Sequence, residues 1–138
     1  MKTTGLVAYL TAALLLAGCT TLVPEFSPRP SRNAAVLALW DQARQESAGG
    51  RTQAAGASLE RALRIEPRNP ALWQELARIR LAQGQFRQAE NLAAKSNALA
   101  GDNLRLRTEN WRLIGQARLG LGDEAGAQAA FERMGAGQ

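Results

Sequence analysis

Apolar positions in the second half of the chain recur three and four apart: Leu72, Leu76 and Ile79 in one stretch, Ala89, Leu92, Ala93 and Leu99 in another. That spacing places them on one face of an α-helix and predicts helix rather than strand. Ala, Leu, Arg, Gln and Glu dominate these stretches and β-branched residues are scarce, which favours the same reading. Gly and Pro fall between the periodic stretches instead of inside them. In EPRNP, residues 66–70, Pro67 ends one helix, Asn69 can cap the next, and Pro70 fits a first turn, where its missing N–H leaves no helical bond unmade. Just over a hundred residues follow a proline-rich stretch, enough for one small domain with one modest core.

The punctuation is regular enough to compare the chain with itself. Ala43, Ala77 and Gly115 line up, as do Gly50, Gly84 and Gly122, then Ala55, Ala89 and Ala127, and finally Leu59, Ala93 and Phe131. Every set steps by 34 residues and then by 38. The four additional residues fall in AGDNLRLRTEN, residues 100–110, and four is close to the 3.6 residues of one helical turn. The pattern therefore predicts that the helix carrying Trp111 starts one turn early, capped near Asp102 or Asn103. The domain boundaries expected are 34–138, in units of about 34–67, 68–101 and 102–138.

A unit of 34 residues with small residues at fixed points resembles the tetratricopeptide repeat. The middle copy carries the likeness best, with Trp73, Leu76 and Ala77, then Gly84, Phe86 and Ala89. Pro67 stands at the family's closing proline, and the third copy supplies Trp111, Ile114, Gly115, Gly122, Ala127 and Phe131. Leu39 replaces the family's frequent Trp, and Glu46, Arg80 and Arg118 replace its frequent Tyr. The resemblance implies an all-α fold: three helix-turn-helix units forming a short right-handed solenoid, with small residues where the two helices of a unit approach. Ala89→Arg would put an unpaired charge into that contact and cost about 3 kcal/mol or more.

In the family the first helix of each unit lines a concave groove. The same two steps read its columns here as Trp40, Gln74 and Arg112, then Arg44, Arg78 and Gln116, then Asp41, Glu75 and Leu113. The expected protein-binding groove is therefore Trp40, Asp41, Arg44, Gln74, Glu75, Arg78, Arg112 and Gln116. Trp and Arg are the types most enriched at binding hot spots. The plainer alternative is a solvated face, with Asp41–Arg44 and Glu75–Arg78 as ordinary surface ion pairs of about 0.2 to 0.5 kcal/mol. The Lys and Asn carboxylate clamp of the family's chaperone-binding members is missing from these columns.

The amino-terminal end reads differently. Lys2 precedes an uncharged apolar core over residues 6–17, then Gly18 and Cys19, the one cysteine of the chain. The strongly apolar part falls short of the roughly 20 residues needed to span a bilayer as a helix, and the layout is that of a cleaved secretory signal over residues 1–18. LAGC (Leu16, Ala17, Gly18, Cys19) resembles the lipobox of bacterial lipoproteins, which implies lipidation at Cys19; two acyl chains on one residue give a stable membrane anchor. An uncleaved anchor with a free cysteine is the alternative. In the resembling lipoproteins an Asp after the cysteine retains the protein at the inner membrane. Here Thr20 follows, so the expectation is the outer membrane, periplasm-facing. Residues 19–33 form the lipidated cysteine and a tether whose Pro24, Pro28 and Pro30 favour extended geometry reaching roughly 40 Å.

Charge and composition narrow the function. The full chain carries +5 and loses one unit with Lys2, and 15 of its 17 basic residues are Arg. Without a run of interleaved aromatic and basic residues, nucleic-acid binding is not expected. No His is present, and one Cys makes neither a disulfide nor a metal site. No cofactor, metal or enzymatic activity is expected. Two readings remain: a lipid-anchored adaptor whose groove holds a segment of an envelope protein, or a self-associating structural lipoprotein. Similar repeat lipoproteins include activators of bifunctional peptidoglycan synthases, pilotins of pilus secretins and accessory factors of hydrolases. The short tether weighs against a partner across the wall. Only GAGQ follows Met134, so no separate solvating helix is expected, which leaves homo-oligomerisation open.

Overall fold

The computed structural model describes residues 30–136, so Cys19, the signal-like stretch and most of the tether lie outside the described residues. Among the described residues six helices follow one another: α1 (Ala34–Ala48), α2 (Thr52–Ile65), α3 (Pro70–Ala82), α4 (Phe86–Leu99), α5 (Leu104–Gly120) and α6 (Glu124–Gly135). They pack as three hairpins, α1 with α2, α3 with α4 and α5 with α6, and the hairpins stack through α2 against α3 and α4 against α5. The chain is thus a three-unit helical-repeat solenoid.

The glycines that mark the period close each hairpin. Gly50, Gly84 and Gly122 have φ of 74°, 71° and 79°, the left-handed region in which a Cβ is strained. In each turn the N–H three residues past the end of the helix reaches back five residues: Arg51 to the Glu46 carbonyl at 2.8 Å, Gln85 to Arg80 and Asp123 to Arg118, both at 2.9 Å. This Schellman arrangement satisfies carbonyls that the helix end leaves free. At the starts of the first helices, Asn33 and Asn69 accept from backbone N–H groups two and three residues on, and Pro70 occupies the first turn of α3. α5 begins at Leu104, where Asn103 caps it by accepting from the Leu106 N–H at 3.0 Å. The four additional residues thus join the helix instead of looping out.

Leu59, Leu72, Leu76 and Ile79 close the junction of the first two units together with Val36 and Leu39. Ala77, Ala93, Leu113, Ile114 and Ala130 close that of the last two. Within units, small and large residues interlock. In the third unit a Cβ on Gly115 would lie 2.3 Å from Phe131, so the bulk of that ring depends on the glycine. The positions in the first unit that correspond to Leu72, Leu76 and Ile79 are Ala38, Gln42 and Gln45; all three are exposed, because no unit of the described structure packs against that face.

Candidate functional site

An open groove of about 1280 Å³ runs over the amino-terminal half of α3. Ala71, Gln74, Glu75 and Arg78 form its floor, Trp40 and Pro30 flank one side, and Asn103 with the first turns of α5, Leu104 to Leu106, Thr108 and Glu109, walls the other. The extra turn that sequence comparison places before the third unit is that wall. Leu104 at its tip is 56 % exposed.

Arg78, Glu109 and Arg112 carry the electrostatics. Glu109 accepts from Arg78 Nη2 at 2.8 Å and from Arg112 through Nη2 at 2.6 Å and Nε at 2.8 Å, while Arg78 Nη1 reaches Glu75 at 2.5 Å. The Arg112 hydrogen bond, with help from Arg78, holds the Glu109 carboxyl below its ordinary pKa against the opposing effect of burial. The same bond to Glu109 pushes Arg112 up.

Below this lies a polar thread. Gln74 Nε2 donates to Asn110 Oδ1 at 2.9 Å and to the Leu106 carbonyl at 3.1 Å; Asn110 Nδ2 donates to Ser96 Oγ at 2.7 Å, and Ser96 Oγ donates to the Pro70 carbonyl at 2.8 Å. Asn110 and Ser96 are fully buried. At the rim, Asn69 Nδ2 donates to the Pro30 carbonyl at 2.5 Å and to Glu66 at 2.7 Å, and Ser31 Oγ donates to Glu66 at 2.5 Å.

The sequence-expected groove residues divide accordingly. Trp40, Gln74, Glu75 and Arg78 line the groove. Gln74 is committed to the α5 backbone and Asn110, so it builds the floor and is not a free donor. Arg112 sits beside the groove as the partner of Glu109. Asp41 and Arg44 are exposed on α1 and make no ion pair with each other among the described residues, whereas Glu75 and Arg78 do pair. Gln116 is half-buried with no side-chain hydrogen bond among the described residues. Leu113 departs from the expected third column: it is fully buried in the junction of the second and third units.

Sequence reasoning missed Glu109, Asn110, Arg68 and Arg105. An available signal was the three-residue spacing of Glu109 and Arg112, which pairs them on one helix face. Glu46, Arg80 and Arg118, at the family's tyrosine position, act on the opposite side. Glu46 accepts from Ser58 at 2.8 Å, Arg80 reaches back to Glu60, and Arg118 reaches Glu90 at 2.7 Å. Gly56 leaves room for the Arg80 guanidinium, which lies 3.0 Å from where its Cβ would be.

Three stacked helical hairpins with a groove along their first helices define a helical-repeat interaction scaffold. Within that class, the chain belongs to the tetratricopeptide repeat family, whose pattern matches residues 47–108. The globular C-terminal domain of P. aeruginosa LpoP is 41% identical, with a TM-score of 0.73 over 75% of this chain and 98% of that domain. The N-terminal domain of stress-induced protein-1 from C. elegans superposes with a TM-score of 0.70 at 16% identity, over 76% of this chain and 87% of that one, a likeness of fold alone. None of the curated proteins compared matches the sequence. The chain is accordingly a tetratricopeptide protein-interaction adaptor.

Proposed function

We propose that this protein is an outer-membrane, periplasm-facing lipoprotein, anchored through Cys19, whose groove binds a segment of a cell-envelope machine of the peptidoglycan-synthase or pilus and secretion kind. The observation that carries the reading is the open groove over α3, walled by a helical turn that the repeat pattern does not require. Its lining offers apolar surface at Trp40 and Ala71 beside ion pairs, the mixture of anchor and orienting charge that peptide grooves use. The 41% identity to the LpoP domain over nearly its whole length supports a bacterial repeat domain of the same build, and the lipobox-like LAGC supports the envelope setting.

The test is photocrosslinking in intact envelopes from a benzophenone amino acid at Arg78, followed by mass spectrometry. The expected result is one dominant envelope protein, lost when Glu75 and Trp40 are replaced; labelling without such a product overturns the groove reading. Globomycin should make the precursor accumulate, and unchanged processing would remove the anchor. A crosslinked set confined to outer-membrane proteins rejects the synthase as partner and keeps the secretion class.

A further inference from the structure

The chain enters the described structure at the groove itself. Pro30 lines one flank, tied to Asn69 through its carbonyl, and Ser31 is tied to Glu66, so both are fastened to the loop between α2 and α3. Whatever precedes Pro30 therefore starts at the groove's edge. Opposite stands the extra turn of α5, with Leu104 and Arg105 exposed. The charges on the lining are unevenly satisfied. Glu75 and Glu109 are held by Arg78 and Arg112. Arg68 and Arg105 line the groove and make no ion pair among the described residues, and Glu66, the remaining acid of the lining, is taken up by hydrogen bonds from Ser31 and Asn69. A segment that completes this surface is extended, places an apolar side chain against Leu104, and brings a carboxylate between the two arginines.

Residues 22–29, LVPEFSPR, have that composition. Pro24 and Pro28 favour extended backbone that needs no hydrogen-bonded neighbour, Leu22, Val23 and Phe26 are apolar, and Glu25 is the acid. At about 3.1 Å per residue, Glu25 can stand about 15 Å from Pro30 and Leu22 about 25 Å. Crossing from α1 over α3 to α5 takes two interaxial steps of roughly 8 to 10 Å each. The segment is long enough to lie across the groove, and too short to reach far beyond it.

We propose that residues 22–29 of this same chain occupy the groove, as a built-in ligand that a partner must displace. The proposal rests on the groove being the peptide site argued above, and it adds the regulation of that site. In a protein anchored at Cys19, occupancy holds the domain close to the membrane, and displacement releases the tether's full reach. Capture of a partner and extension from the membrane become one event.

Two measurements on the purified full chain test this. With a benzophenone amino acid in place of Leu104, irradiation should give an intramolecular product mapping to residues 22–29, reduced several-fold by Arg105→Glu. A fluorescein-labelled synthetic peptide of residues 20–30 should bind the Glu25→Lys/Phe26→Ser chain about tenfold more tightly than the unaltered chain. That factor is what a tethered competitor at roughly millimolar effective concentration imposes on a peptide of about 100 µM affinity. Equal affinity for the two chains overturns the proposal. So does a Leu104 probe that in envelopes crosslinks to another protein but never to residues 22–29, an outcome that leaves the groove's peptide role standing. If position 104 captures neither, the proposal fails together with the groove reading.

Discussion

Between the first and second units Leu59, Leu72, Leu76 and Ile79 meet in a dry aliphatic cluster, whereas between the second and third a chain of hydrogen bonds runs from Gln74 through Asn110 and Ser96 to the Pro70 carbonyl. Backbone spacing differs as well: α3 lies directly against α5, while α1 has no comparable approach to α3. The side chains explain this. Large aliphatic residues and Trp40 fill the first junction, and Ala77, Ala93 and Ala130 let helices close up in the second. An aliphatic contact rewards buried area in many rotations of a helix. A hydrogen-bonded thread is directional and satisfied in one, because its polar atoms have no water to turn to. The first junction supplies stability, and the second fixes the rotation of α5 and with it the wall of the groove.

Truncating the first junction should have the largest effect. Leu72 is fully buried, so Leu72→Ala loses transfer free energy and leaves a cavity, about 3 kcal/mol in denaturant unfolding. Asn110→Ala should cost less, about 2 kcal/mol, from a smaller void and an under-satisfied Ser96. The sharper test replaces the whole thread, with Gln74→Leu, Ser96→Ala and Asn110→Leu together. Removing all partners at once leaves nothing unpaired, and stability should return to within about 1 kcal/mol of the parent. Hydrogen exchange in the first turn of α5 should nonetheless accelerate, since the Leu106 carbonyl has lost its tie to Gln74. Unchanged protection there would mean that packing alone sets the wall, and the contrast between the junctions would dissolve.

How far the fold could be read in advance follows from the same contrast. Hydrophobic spacing, glycines at a fixed period and the Asn69–Pro70 start are local signals, and each corresponds to an observed helix or turn. The four-residue offset was legible because one helical turn preserves phase. The groove was legible only by columns, and columns mislead in a definite way. Residues at equivalent positions in stacked units lie about one helix spacing apart, so those that touch come from the leading face of one helix and the trailing face of the next. Gln74 accordingly bonds Asn110 and not its equivalent Arg112, and Leu113, the equivalent of Glu75, is buried in the core. No one-dimensional spacing joins Gln74 to Asn110, or Pro30 to Asn69.

On the side away from the groove both junctions carry a backward-reaching arginine, Arg80 to Glu60 and Arg118 to Glu90, in place of the family's tyrosine. These clasps should matter less than either core. The Arg80 side chain is 14% exposed but Glu60 is 47% exposed, so water screens the pair. Arg80→Ala should lower stability by about 1 kcal/mol, part of it lost packing over Gly56. A loss as large as that of Leu72→Ala would show that the first junction is not held chiefly by its aliphatic residues.

The smallest expected effect belongs to Glu109, and its pH dependence locates it. Its carboxyl is held below the ordinary value by Arg112 and Arg78, so the folded state binds its proton more weakly than the unfolded chain does. Stability from this group is then fully present above the unfolded carboxylate pKa and is lost as pH falls through the depressed folded value, so the acid limb opens below about pH 5. Arg78 is 44% and Arg112 38% exposed, which screens the interaction, and Glu109→Gln should cost under about 1 kcal/mol at neutral pH. That difference should shrink with added salt and vanish in acid, where the parent carboxyl is itself protonated. Glu46, lowered by hydrogen bonds from Gln42 and Ser58 within the first unit, keeps its own share of the acid limb in the variant. A Glu109→Gln deficit that persists unchanged below the acid limb would make the group a packing element of the second junction and not a charge that steadies α5.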